Sequence, residues 1–233
     1  MTTVTSLQTY LDELLLADQF TDDQNGVYVP SSRPVRRLGL ALEPPPDVAT
    51  WVTKNDLDAL FLHRPWKLGR LPEGVGVLAY HYAFDERLTT AYNPPLAEAL
   101  GMTSLKPFGL KQGRVLGMMG DVPASGWAAF RERAEAEFGG LEGVYGLEGA
   151  EVTRVCVVGA LRPALVYEAA ERGAQVYLTG EYRPAAAKAV AETGVSVFVI
   201  GHERSEVWGL RALERLLKTQ FPDLETFLRT PQH

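Results

Sequence analysis

The feature that most constrains this chain is the rhythm of its last third. Short apolar runs rich in valine, at Thr153–Val158, Gln175–Thr179 and Val195–Ile200, alternate with helix-length segments at Pro163–Arg172, Pro184–Thr193 and Glu203–Lys218. Strands separated by a whole helix cannot pair as tight hairpins. They pair in parallel through right-handed crossovers, which predicts a layered α/β arrangement. Gly173 and Gly194 follow two of these helices where the chain needs a residue tolerant of left-handed geometry. The first third repeats the rhythm more loosely. Leu7, Tyr10, Leu11, Leu14 and Leu15 mark one buried stripe of a helix. A polar turn at Thr21–Gly26 precedes a strand at Val35–Leu42, stopped by Pro44, Pro45 and Pro46. A helix over Asp47–Asn55 follows, with Asp47 placed to cap it. Leu57–Leu62 and Val75–Tyr80 read as strands, and a helical stretch runs on to about Leu100, interrupted at Asn93-Pro94-Pro95. The glycine-rich middle, residues 102–150, yields only a strand at Val115–Met119 and a helix at Gly126–Phe138. The expectation is two related α/β lobes with partly parallel sheets, an N-terminal one over residues 1–105 and a C-terminal one over 106–233.

Bulk properties narrow the function classes. The chain has 233 residues, 46% apolar and 22% charged, enough for a substantial core. A net charge of -6 argues against the phosphate grip of a nucleic-acid binder. No apolar run approaches the ~18 residues that would span a bilayer. The first residues carry Asp12 and Glu13 without a basic segment, so they read as a helix rather than a signal peptide. The single cysteine, Cys156, permits neither an internal disulfide nor a thiolate cluster, and its valine neighbours predict a buried, inert thiol. The expected compartment is the cytoplasm. The chain has no glycine-rich phosphate loop of the P-loop or dinucleotide-binding kind, and no nucleophile elbow at Gly180-Glu181.

In open α/β sheets ligands bind beyond the carboxyl ends of strands. There the sequence places His63, His81, Glu181 and His202. The remaining histidine, His233, is terminal. Two of the three internal histidines have a carboxylate four residues later, His81 with Asp85 and His202 with Glu206. On a helix, i and i+4 share a face, so each pair can point at one centre. Neutral imidazoles and carboxylates are the donor set of Zn, Mn, Fe, Co or Ni. His63, His81, Asp85, His202 and Glu206 are therefore the candidate ligands of a divalent metal.

These residues also carry a resemblance. Thr179-Gly180-Glu181, then Val199-Ile200-Gly201-His202-Glu203-Arg204-Ser205-Glu206 leading into a helix with Gly209-Leu210, resembles the C-terminal signature of the Nif-three-like dinuclear metal-centre family. Leu62-His63-Arg64-Pro65 looks like the family's His-His-Pro motif, and His81-Tyr82-Ala83-Phe84-Asp85 like its His-x-x-x-Asp motif. Gln24-Asn25-Gly26-Val27 echoes an N-terminal Asp-Asn-Val-Gly segment. The resemblance implies metals in a cleft between the two lobes and a ring-like homohexamer. Members are described variously as GTP cyclohydrolase type 2, as metal-dependent hydrolases or as proteins of unknown function. Carried over, His63, His202 and Glu206 would hold one metal. Asp85 and Glu206 would hold a second, with His81 lining the site. His81 and Glu181 are the candidate proton-handling residues, Glu181 as general base or water-orienting group.

The chain departs from the pattern at Arg64, where the family has a histidine. A guanidinium stays protonated and has no lone pair to offer. Either a water replaces the lost ligand, or the arginine's charge stands in for the second cation, pairing Asp85. The second reading predicts one tightly held metal per chain rather than two. Gly159-Ala160-Leu161-Arg162 and Tyr182-Arg183-Pro184 also depart from the family's loops. Arg64, with Arg183 or Arg162, would bind an anionic group. Two functions of different class follow. One is a metal-dependent hydrolase of a small anionic or nucleotide-like molecule. The other is a non-catalytic metal-binding, chaperone or regulatory protein in a homo-oligomeric ring.

Overall fold

The computed structural model describes residues 1–111, 113–149 and 151–231, so His233 lies outside the described residues. Along the chain run α1 (Val4–Leu15), β1 (Asn25–Val29), β2 (Arg37–Ala41), α2 (Val48–Asn55), β3 (Ala59–Leu62), β4 (Gly76–Tyr80), α3 (Tyr82–Leu88) and α4 (Pro94–Ala99). Then come β5 (Thr103–Lys111), β6 (Arg114–Gly126), α5 (Trp127–Phe138), β7 (Gly143–Tyr145), β8 (Glu151–Ala160), α6 (Pro163–Glu171) and β9 (Val176–Glu181). The chain closes with α7 (Ala187–Thr193), β10 (Ser196–Val199), α8 (His202–Gln220) and β11 (Glu225–Arg229). The mixed α/β class and the partly parallel sheets are as expected. No described helix is long and apolar enough to cross a membrane.

The chain forms two compact units. One is Met1–Arg87 together with Gly209–His233, and the other is Leu88–Trp208. The first unit therefore draws on both ends of the chain, whereas a sequence reading can only cut it into consecutive pieces. Its sheet runs β1-β4-β3-β2-β11. The four strands β4, β3, β2 and β11 are parallel, and β1 adds antiparallel to β4 with Asn25 opposite Tyr80. Strands β3 and β4 are buried on both faces, which is why they read as unbroken apolar runs. Helix α1 covers the sheet with Leu7, Leu11 and Leu15, all essentially inaccessible, each stabilising the fold by about 1.5–3 kcal/mol. Thr3 caps it in a reciprocal pair with Ser6. Asp47 precedes α2 without capping it. Its carboxylate is taken by Arg229 of β11 at 2.7 Å, and that hydrogen bond and charge hold it below the usual carboxylate range.

The second unit has the sheet β5-β6-β8-β9-β10-β7. Strands β8, β9 and β10 are parallel, as the alternation predicts, while β5, β6 and β7 pair antiparallel. The strand expected at Val115–Met119 is the first half of a much longer β6, whose far half hides behind Pro123, Ser125 and Gly126. The helix expected at Pro184–Thr193 divides into a tight 3₁₀ turn at Pro184–Ala186 and α7. Gly194 ends α7 at φ +71°, and Gly173 follows α6 at φ +79°. Cys156 is fully buried among Val158, Tyr177 and Val199, and burial pushes its thiol well above the ordinary range.

Candidate metal centre

Each internal histidine stands just beyond the carboxyl end of a parallel strand, His63 after β3, His81 after β4 and His202 after β10. In the first unit, His63, His81 and Asp85 converge, with one potential ligand atom from each lying within 4.8 Å of the others. The convergence follows from sheet geometry. Strands β3 and β4 are adjacent and in register, with Leu62 opposite Ala79, so the residues that follow them emerge side by side. Asp85 returns to the same point because α3 begins at once. Its backbone amide donates to the His81 carbonyl at 3.0 Å, one helical turn.

Both imidazoles are held by their Nδ1 atoms. His63 is fully buried, and its Nδ1 donates to the Tyr80 carbonyl at 2.9 Å. His81 Nδ1 donates to Asp23 Oδ1 at 3.0 Å. An imidazole that donates from Nδ1 presents the Nε2 lone pair on its other side, the tautomer that a metal requires. Asp23 is itself fixed, because its Oδ2 accepts from the Tyr82 amide at 2.6 Å. Tyr80 anchors the far side. Its hydroxyl donates to Asp12 of α1 at 2.7 Å, and burial together with that bond drives its pKa up. The donor set of two neutral imidazoles and one carboxylate fits a divalent first-row metal. His63 Nε2 and Asp85 Oδ1 lie 3.4 Å apart.

The resemblance implies His81 beside the metal rather than on it, whereas the structure groups it with His63 and Asp85. Asp23 escapes sequence reading altogether. It lies in the polar turn before β1, and only the β1–β4 pairing brings it to His81. Arg64 is half-buried, and its Nε donates to Glu43 Oε1 at 3.0 Å. Both it and Glu43 follow strand ends, at β3 and β2.

The second unit holds the other predicted residues. His202 opens α8, and its Nε2 lies 2.9 Å from Glu206 Oε1, one turn on. The histidine is largely exposed while Glu206 is 1% exposed, so the imidazole partners a carboxylate taken out of water. The turn before α8 requires Gly201. Its φ is +99°, and a Cβ there would overlap the Glu142 carboxylate. Glu181 ends β9 and is exposed, with both Nε and Nη2 of Arg183 donating to its Oε2, at 3.0 and 2.9 Å. The expected general base and one expected anion-binding group thus engage each other.

Similarity to known proteins accords with this arrangement. The family model of Duf34/NIF3 (NGG1p interacting factor 3) matches residues 2–231. A protein of Deinococcus radiodurans called GTP cyclohydrolase 1 type 2 homolog is 26% identical over 95% of this chain and 91% of its own length. Among solved structures, the protein ybgI, of unknown function, superposes with a TM-score of 0.77 at 20% identity, covering 99% of both chains. TTHA1606 from Thermus thermophilus gives 0.73 at 22% identity over 98% of both. These two likenesses establish the shared fold, and the family match spans both units and all three histidine motifs, so the chain belongs to the Duf34/NIF3 family.

Proposed function

We propose that the chain is a metal-dependent hydrolase of a small anionic, nucleotide-like substrate, assembled as a homohexameric ring. The observation that carries the reading is the His63–His81–Asp85 cluster with both Nδ1 atoms committed elsewhere. His63, His81 and Asp85 would hold a divalent cation such as Zn, Mn, Fe, Co or Ni. Such an ion supplies a Lewis acid that polarises the scissile group or lowers the pKa of water. His63, fully buried, forms the dry wall of the site, and Asp23 keeps His81 in its working tautomer. Glu181 is the candidate general base, and it must exchange its Arg183 partner for substrate to act. Arg64 and Arg183 are the candidate anion-binding groups. His202 and Glu206 offer a further imidazole–carboxylate donor pair in the second unit.

Metal content of protein purified without chelators tests the reading, together with a screen of phosphate and nucleotide substrates under several added metals. The expected result is about one equivalent of metal per chain, lost in Asp85→Asn along with any turnover. Protein that binds no metal, or an Asp85→Asn variant that keeps both metal and activity, would overturn it. Arg64→His should raise the bound metal toward two equivalents. No rise would remove Arg64 as the reason for a single ion. The second reading, a metal-binding regulator without turnover, is favoured by Arg64 standing where a ligand is expected. It would be supported by saturable metal binding without hydrolysis across the whole screen.

A further inference from the structure

The loop between β3 and β4 carries chemistry that the metal cluster does not use. It begins at His63 and is tied down from inside. Pro65 is buried, the Leu68 amide donates to the Pro65 carbonyl at 2.9 Å, and Leu68 and Leu71 pack against the core formed by Val48, Val52, Leu60 and Val77. On this firm base the loop turns Trp66, Lys67 and Arg70 outward. Trp66 is 56% exposed, although a large apolar ring gains most by burial. The chain's other tryptophans, Trp51, Trp127 and Trp208, are all buried. Across from it, Tyr82 at the start of α3 is 51% exposed.

Both aromatic rings touch the same imidazole. Trp66 meets His81 edge to face with ring centroids 4.9 Å apart, and Tyr82 stacks on it at 4.4 Å. Scattered exposed aromatics need no explanation. Trp66 stands at 82° to the His81 ring and Tyr82 at 29°, so the two exposed rings do not share a plane, and a flat ring that stacks on Trp66 lies within reach of the cluster. The same loop carries cations. Lys67 and Arg70 are exposed and make no ion pair among the described residues, and Arg64 lies at the base of the loop. They sit on a chain of net charge -6, so this is a local departure from the general surface.

We propose that the exposed ring of Trp66 is a stacking platform for the base of a nucleoside phosphate, with Tyr82 at the base's edge and Lys67 and Arg70 receiving its phosphate. This rests on the metal-site reading for its location and adds the residues that select the substrate. Stacking of a base on an aromatic side chain is sequence-tolerant, so both purine monophosphates should bind.

Calorimetric titration of the metal-loaded protein with adenosine and guanosine 5′-monophosphate, and with ribose 5-phosphate, separates base from phosphate. The nucleotides should bind about tenfold or more tightly than ribose 5-phosphate. Trp66→Ala should erase that advantage, Trp66→Phe should keep most of it, and Lys67→Glu with Arg70→Glu should weaken all three ligands. Because Trp66 is the exposed indole, its fluorescence should be quenched saturably by the nucleotides and not by the sugar phosphate. Equal affinity for nucleotide and ribose 5-phosphate, or unchanged nucleotide affinity in Trp66→Ala, would overturn the proposal. Metal content measured on the same samples keeps the two readings apart. A platform that fails on protein with its metal in place sinks the substrate class alone, while protein without metal sinks the site.

Discussion

At the scale of residues, the arrangement depends on groups that never touch a ligand. Asp23 is the clearest case, since it fixes the ring of His81 from one side and is fixed by the Tyr82 amide on the other. Asp23→Asn should leave the fold intact and lower metal affinity by about 10–100-fold. Competition with a chromophoric chelator reads this directly, and wild-type affinity in the variant would show that His81 is oriented by something else. His63, His81 and Asp85 are legible from spacing and from their places after apolar runs. Asp23 is not, because 58 residues separate it from His81 and no periodicity links them. The outward turn of Trp66 is hidden for a different reason. A tryptophan beside Pro65 reads equally well as core, and only the anchoring of Leu68 and Leu71 decides which way it faces.

At the scale of elements, the strongest device is the turn from β10 into α8. Gly201 takes a left-handed conformation with the Glu142 carboxylate against its α-carbon, so that His202 starts the helix and Glu206 falls one turn later on the same side. Gly201→Ala should cost about 2 kcal/mol through backbone strain and displacement of Glu142. That would lower the melting temperature by roughly 4–8 °C for a chain of this size, and it should shift the helix start more than the helix content. An unchanged melting temperature would mean that the turn tolerates a side chain. The elements legible in the sequence are the apolar strands β2, β3, β4, β8, β9 and β10, the first half of β6, and the helices with strong stripes or proline starts. Strands β1, β5, β7 and β11 are not legible. β1 and β7 are short antiparallel edges, and the burial pattern of β11 is intermediate almost throughout, so it carries no alternation. β5 contains Pro107 and Gly109, and Ser104 in a left-handed conformation, all of which argue locally against a strand.

At the scale of the whole molecule, buried ionisable groups set the response to alkali. Burial raises the pKa of Tyr80, assisted by its bond to Asp12, and burial likewise raises Tyr177 and Cys156. In the unfolded chain these groups lose protons at their ordinary values, about 8.5 for a thiol and about 10 for tyrosine. The unfolded state then binds fewer protons than the folded one, so stability must fall as pH rises above about 8.5. Denaturant titrations at about pH 8 and pH 10.5 should show a lower midpoint at the higher pH, with a smaller drop in Tyr80→Phe. Midpoints independent of pH would show that these groups ionise in the folded state. The division of the chain into units has a further consequence, in the order of its birth. Leu88–Trp208 is continuous, whereas the sheet of the first unit is completed by β11 on the open side of β2. On the ribosome, the residues made first must therefore wait for the residues beyond Trp208 before their sheet is complete, while the segment between them can already be folded. Chains truncated before residue 225 should thus hold a protease-resistant middle and a still-vulnerable beginning, the reverse of the usual N-terminal-first order.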